Sequence, residues 1–184
     1  SNLEAVSAFI TKDNINDLIE KNGISGDIGI LSVDIDGNDY EVWRDLGSNF
    51  QPKLVVIEYN QTIPPSVEFI DKGGVSFMGS SCLALYKLAK DKGYEMLTCT
   101  ETNCFFIRKD FYCLFLIDNN TPSFLQNTDK LCFVCLNHSG ELVFSNKNFF
   151  QNQIVFILYK RFKKIIKHVI FKRSSFFYLY DKYK

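Results

Sequence analysis

The sequence predicts an α/β fold whose sheet opens with parallel strands, and three observations carry that expectation. Two short, almost continuously apolar runs, "IGILSVD" at 28–34 and "PKLVVIEYN" at 52–60, flank a segment with helical spacing. A run that is apolar at nearly every position suits a strand covered on both faces, as in a parallel sheet. Strand, helix and strand in such a short span make a βαβ unit, whose crossover sets the two strands side by side and parallel. Farther along, "YEMLTC" and "NCFFIR" at 94–99 and 103–108 are two strands joined by a tight polar turn, which predicts an antiparallel pair.

The elements follow in order. "TKDNINDLIEKNGI" at 11–24 carries Ile15, Leu18 and Ile19 at helical spacing, with Thr11 or Asp13 to cap it and Gly23 to end it. The strand at 28–34 comes next. "NDYEVWRDLG" at 38–47 is a short helix with Tyr40, Trp43 and Leu46 on its apolar face and Gly47 at its end. The second strand at 52–60 leads into a long loop, 61–79, with Pro64–Pro65 and Gly73–Gly74. Loops of that length in a compact domain are usually functional lids or disordered segments. "SSCLALYKLAKDKG" at 80–93 is an amphipathic helix, with Leu83, Leu85, Tyr86, Leu88 and Ala89 apolar and Lys87, Lys90 and Lys92 on the outer side. After residue 116 the character changes to a polar linker, "IDNNTPSFLQNTD", and then to a small hairpin around "NHSG" within "KLCFVCLNHSGELVFSN". The expected organisation is a body at 1–116, a linker and hairpin at 117–150, and a tail at 151–184.

The 184 residues are enough for one domain with a sizeable core. The first residue is Ser1 rather than methionine, so a processed chain or a piece of a longer one is expected. The formal net charge of zero conceals a split. Residues 1–150 hold 12 Lys/Arg against 20 Asp/Glu, a net of −8, while residues 151–184 hold 9 Lys/Arg against one acid, a net of +8. In the tail, Ile154, Leu158, Phe162, Ile165, Ile166, Val169 and Ile170 recur at three- and four-residue spacing, with Lys160, Arg161, Lys163, Lys164 and Lys167 between them. That pattern predicts a basic amphipathic helix over 153–171, which can dock on the acidic body or lie on an anionic membrane surface. The aromatic "SSFFYLYDKYK" favours the membrane, and nucleic acid is the weakest of the candidate partners. No apolar run approaches the ~20 residues that span a bilayer. The six cysteines have no regular spacing, which fits free thiols in a reducing, cytoplasmic setting, membrane-peripheral if the tail binds lipid. Cys132, Cys135 and His138 lack a fourth ligand spaced for zinc and read as part of a strand, and His168 reads as a solvated helix residue.

The chemistry concentrates at "ILSVDIDGNDYEVW", 30–43, where a buried strand ends in Asp34 and Asp36. In an extended strand these two side chains share a side, and at the carboxyl end of a parallel strand that side opens on the ligand crevice of α/β sheets. A plainer account has Asp36, Asn38 or Asp39 capping the next helix. A calcium loop of the EF-hand type is excluded, since its glycine belongs at the sixth position and Gly37 is the fourth counting from Asp34. "SVDIDGN" resembles the nucleophile motif of haloacid-dehalogenase-like phosphatases, with Asp34 attacking phosphorus and Asp36 as acid/base. Asn38 stands where that family has threonine, and no later strand ends in an acidic pair. A glycosyltransferase Asp-x-Asp motif would follow a nucleotide-binding half, and only 33 residues precede Asp34.

A fourth pattern covers much more of the chain. "ITKDNINDLI…GDIGILSVDIDGNDYEVW…KLVVIEYN…PP…GSSCLALYKLAKDKGYEMLTC…NCFFIRKD" resembles the FkbM-like branch of S-adenosylmethionine-dependent methyltransferases over about residues 9–112. The likeness lies in the order and spacing of strands ending in acids, not in one motif. It implies a partial Rossmann-like methyltransferase sheet, parallel strands plus a C-terminal antiparallel pair, with the hairpin and helical tail appended. It also implies methyl transfer from S-adenosylmethionine to an oxygen of a small-molecule or glycan acceptor. Asp34 and Asp36 would be the catalytic pair, and Asp34, Gly37 and Asn38 would touch the cofactor. Asp36, Glu58 and Asn60 would hold the acceptor or a divalent metal, as in catechol-type methyltransferases. The family binds its cofactor chiefly at a glycine turn upstream of these strands. Gly23, Gly26 and Gly29 are spaced as turn residues after a helix, not as a strand-to-helix loop. The chain therefore resembles the carboxyl-terminal half of the domain. Alone it is expected to bind S-adenosylmethionine no tighter than roughly millimolar and to be inactive. A non-catalytic interaction module is the competing class.

Overall fold

The computed structural model describes residues 4–24, 27–72, 79–129, 131 and 134–144. The predicted helix over 153–171, with His168 and the membrane surface proposed for it, lies outside the described residues, as do Gly73, Gly74 and Cys132. The chain divides into two compact units, Ser1–Asp129 and Lys130–Lys184.

The first unit is built in the order α1 (Ile15–Lys21), β1 (Ile30–Val33), α2 (Asp39–Asp45), β2 (Leu54–Glu58), α3 (Cys82–Asp91), β3 (Tyr94–Cys99) and β4 (Asn103–Arg108). A 3-10 turn (Lys109–Leu114) and the short α4 (Pro122–Leu125) complete it. The sheet order is β1-β2-β4-β3. β1 and β2 pair in parallel with Ile30 opposite Leu54 and Val33 opposite Ile57, as the βαβ pattern requires. β4 is antiparallel to both β2 and β3, and the β3 pairing shifts register between Met96 and Thr98. The sheet is thus mixed, with one parallel pair.

The two apolar strands meet different fates. β2 has a neighbour on each side, and Val55 and Ile57 are 0% exposed. Among the described residues β1 has β2 as its one strand neighbour, Ile30 is 65% exposed and Ser32 is exposed, so the expectation of a strand covered on both faces is not met there. Periodicity reports that a strand is apolar; whether a neighbour covers it is decided elsewhere in the fold.

The core forms around Trp43 of α2, fully buried, with the Phe106 ring centroid at 5.1 Å and that of Tyr94 edge-on at 5.8 Å. Large aromatic rings in such offset and T-shaped arrangements dominate the burial energy of a small core. Val42, Leu46, Leu85, Leu88, Ala89 and Met96 join it, and Ile15 and Ile19 bring α1 onto it. The Tyr94 hydroxyl donates to the Pro52 carbonyl at 2.7 Å, so this buried phenol keeps its polar tip satisfied. α3 starts where Ser81 caps it, its Oγ accepting from Ala84 N–H at 3.2 Å. The stretch expected to be a polar linker carries α4, with Leu125 packed on the core. Gln126 is buried, its Nε2 donating to the carbonyls of Gln61 and Ile63 at 3.2 and 3.1 Å.

In the second unit, β5 (Val134–Leu136) and β6 (Leu142–Phe144) pair antiparallel. The turn between them is closed by Asn137 Oδ1, which accepts from Ser139 and Glu141 N–H at 2.9 and 2.8 Å. This is the hairpin that "NHSG" predicts. Cys135 and His138 are exposed in it.

Candidate functional site

β1 ends at Val33, and the next five residues lead into α2 outside any strand. Asp36 takes φ 54° and Gly37 φ 108°. A left-handed backbone is uncommon for a residue with a Cβ, although aspartate tolerates it better than most, and such positions cluster at functional turns. The alternation that would put Asp34 and Asp36 on one side of a strand therefore does not apply here. Both are exposed all the same, at the carboxyl end of β1.

Asp39 organises the turn. It is 1% exposed, its Oδ1 accepts from Ile35 N–H and its Oδ2 from Gly37 N–H, both at 3.1 Å. One carboxylate thereby satisfies two backbone donors that would otherwise point into the fold. Burial pushes the Asp39 carboxyl above its usual range, with a smaller push from Asp34; the two backbone donors oppose the shift. Asn38, a candidate cap, makes no capping bond. The sequence signal for Asp39 is an acid in the first turn of a helix, which identifies a residue near the helix end without revealing that it faces backward into the loop.

Glu58 closes β2, opposite Asn103 of β4, and is half-buried. Its carboxyl is raised by burial first, then by Asp34, Asp39 and Asp36 in turn. The four acids therefore form one electrostatic neighbourhood at the carboxyl ends of two adjacent parallel strands. Asn60 is placed differently. Its Oδ1 accepts from both Thr62 N–H and Thr62 Oγ1, at 3.0 and 2.6 Å, and its N–H donates to the Ser80 carbonyl at 2.9 Å. Asn60 is occupied in holding its loop.

The long loop is tied down where it is described. Asp71, buried, accepts from Gly79 N–H at 3.1 Å, and its own N–H donates to Ser80 Oγ at 3.0 Å. Ser81 Oγ accepts from Phe69 N–H at 2.9 Å as well as capping α3. Sequence reading missed these three residues as a loop anchor. The serine pair before an apolar run signalled a helix start, but not the second partner.

Residues 7–96 match the family model described as Methyltransferase FkbM domain. This bears out the resemblance, which reached about sixteen residues farther toward the carboxyl end. No curated protein and no solved structure matches the chain.

Several polar groups at the strand exits are already engaged within the fold. The glycine turn after β1 spends its Ile35 and Gly37 N–H groups on Asp39, so they are not free to hold a carboxylate or phosphate. Among the described residues no group of three or more His, Cys, Asp or Glu could hold a metal ion, and the Asn60 Oδ1 is already engaged. The divalent metal expected at Asp36, Glu58 and Asn60 is therefore not supported.

Proposed function

We propose that this chain, a member of the FkbM methyltransferase family through residues 7–96, supplies the acceptor side of a methyl transfer from S-adenosylmethionine to a hydroxyl oxygen, with a sugar or glycan as the acceptor class. The observation that carries the reading is the shared electrostatic neighbourhood of Asp34, Asp36 and Glu58 at the exits of β1 and β2. Exposed carboxylates accept hydrogen bonds from the hydroxyls of a polyol and orient it, and orientation is a large part of catalysis in such transfers. A carboxylate raised by burial and by like charges is a stronger base than a free one. Glu58 then accepts the proton from the reacting hydroxyl, while Asp34 and Asp36 hold the acceptor. The methyl donor supplies an activated methyl group. The exposed edge of β1 supports the view that its binding half pairs with this sheet through further parallel strands, in the same polypeptide or another.

The test has two arms. Calorimetric titration of the full chain with S-adenosylmethionine is expected to show binding no tighter than roughly millimolar, about −4 kcal/mol. A micromolar affinity abolished by Asp34→Ala would place a complete cofactor site within these residues. In the second arm, the chain is mixed with the cofactor-binding half of an FkbM-family methyltransferase and a panel of sugars, and methylated products are read by mass spectrometry. Turnover that falls about 100-fold in Glu58→Gln supports the reading. Turnover that is indifferent to Asp34, Asp36 and Glu58 removes it.

A further inference from the structure

Three cysteines that the proposed chemistry does not use converge behind the sheet. We propose that Cys82, Cys99 and Cys104 form a peroxide-reactive thiol site whose stable product is an intramolecular Cys82–Cys104 disulfide.

Cys82 opens α3 and Cys104 lies on β4, and both are buried. The Cys104 thiol donates to the Cys82 sulfur with the two Sγ atoms 3.6 Å apart. A disulfide brings the two sulfurs to about 2.05 Å. Cys99 is opposite Cys104 in the β3–β4 register, and its thiol lies close enough to that of Cys82 for each to influence the other's ionisation. It is half-buried, whereas the other two are enclosed, and its own thiol donates to the Leu125 carbonyl at 3.2 Å. Cys82 is thus the middle sulfur, and Cys99 is the one a small oxidant reaches.

The chemistry balances with hydrogen peroxide as the oxidant. The Cys99 sulfur gives up its proton and attacks one peroxide oxygen; the O–O bond breaks, one water leaves and a sulfenic acid remains. The Cys82 sulfur attacks the Cys99 sulfur, the S–O bond breaks and a second water leaves with the Cys82 proton. The Cys104 sulfur then displaces Cys99 from Cys82, and Cys99 recovers a thiol proton and its bond to Leu125. Two thiols are oxidised and one peroxide is reduced to two waters. The bond from Cys104, and then burial, push Cys82 well above the ordinary thiol range, and the neighbouring Cys82 thiol, and then burial, do the same to Cys99. Tyr59 is the other titratable group packed there, and its hydroxyl is already donating to Thr100. The site is therefore slow, answering sustained oxidant rather than a brief pulse.

The full chain is held in excess hydrogen peroxide for hours, free thiols are alkylated, and the chain is digested and sequenced by mass spectrometry. Cleavage after Lys72 and Lys87 isolates Cys82, cleavage after Lys92 and Arg108 releases a peptide with Cys99 and Cys104, and cleavage after Glu101 separates those two. The expected product is a Cys82–Cys104 link, reversed by dithiothreitol. Cys99→Ser is expected to form the same link at least about tenfold more slowly; Cys99→Ala serves if the serine variant does not fold. No link in the unmodified chain overturns the proposal. So does a terminal Cys82–Cys99 link, or an unchanged rate without Cys99.

Discussion

β1 and β2 are written in nearly the same alphabet, yet they are opposite in their surroundings. "ILSV" and "LVVIE" are both short and apolar, and they pair with each other in parallel. β2 has β1 on one side and β4 on the other, while β1 has no second strand among the described residues. A strand's burial is a property of its neighbours, so identical local chemistry gives a core strand in one place and an open edge in the other. The same contrast runs through their exits. β1 leads into a tight acidic turn braced from within by Asp39, and β2 into a loop anchored from α3 by Ser80 and Ser81.

The comparison is sharpest at paired isoleucines. Ile57→Ala is expected to cost about 3 kcal/mol in urea unfolding, since it empties a closed part of the core. Ile30→Ala is expected to cost under about 0.5 kcal/mol, since most of that side chain is already in water. Equal losses would show that something covers the β1 edge in solution. Asp39→Ala comes next, at about 2 kcal/mol, because Ile35 and Gly37 N–H lose their acceptors together. If that loss is negligible, the turn is braced by some other contact.

Smaller effects follow at the exposed acids. Asp36→Gly should stabilise the fold by about 0.5 kcal/mol, because glycine takes φ 54° without a Cβ penalty. In the complemented methyl-transfer assay the same change should lower turnover, so stability and activity move in opposite directions. The smallest effect is pH-dependent. Glu58 and Asp39 are both raised in the folded chain, so the folded state binds their protons more tightly than the unfolded state does. Between the unfolded carboxylate value near ~4 and the raised folded values, stability should fall as pH rises. Glu58→Gln should flatten that slope and add a few tenths of a kcal/mol at neutral pH, with water screening limiting the gain. A steeper slope in the variant would mean that Glu58 is not repelled by its neighbours.

Much of the fold was legible because it rests on local rules. The helices at 15–21, 39–45 and 82–91 follow from apolar spacing, and β3 and β4 begin and end at the residues their composition marks. The parallel pair follows from the handedness and reach of a βαβ unit. The acids at the strand exits were legible because they stand directly after the apolar runs in the sequence. Asp39 was not: first-turn acids usually serve the helix, and nothing in the spacing shows a side chain turning back to the strand. Nor was the role of Asn60, which looks like a ligand in sequence and closes a turn in space.

The sequence by itself determined the periodicities, the order of the elements, the acidic character of the β1 exit and the charge split between body and tail. These depend on residues near one another along the chain. Tertiary structure decided that β1 has one strand neighbour among the described residues, that Asp39 is buried while Asp36 is exposed, that α4 packs on the core, and that Cys82 and Cys104 meet. Each is a contact between distant segments, fixed by how the elements share one limited core, and no local pattern contains that information.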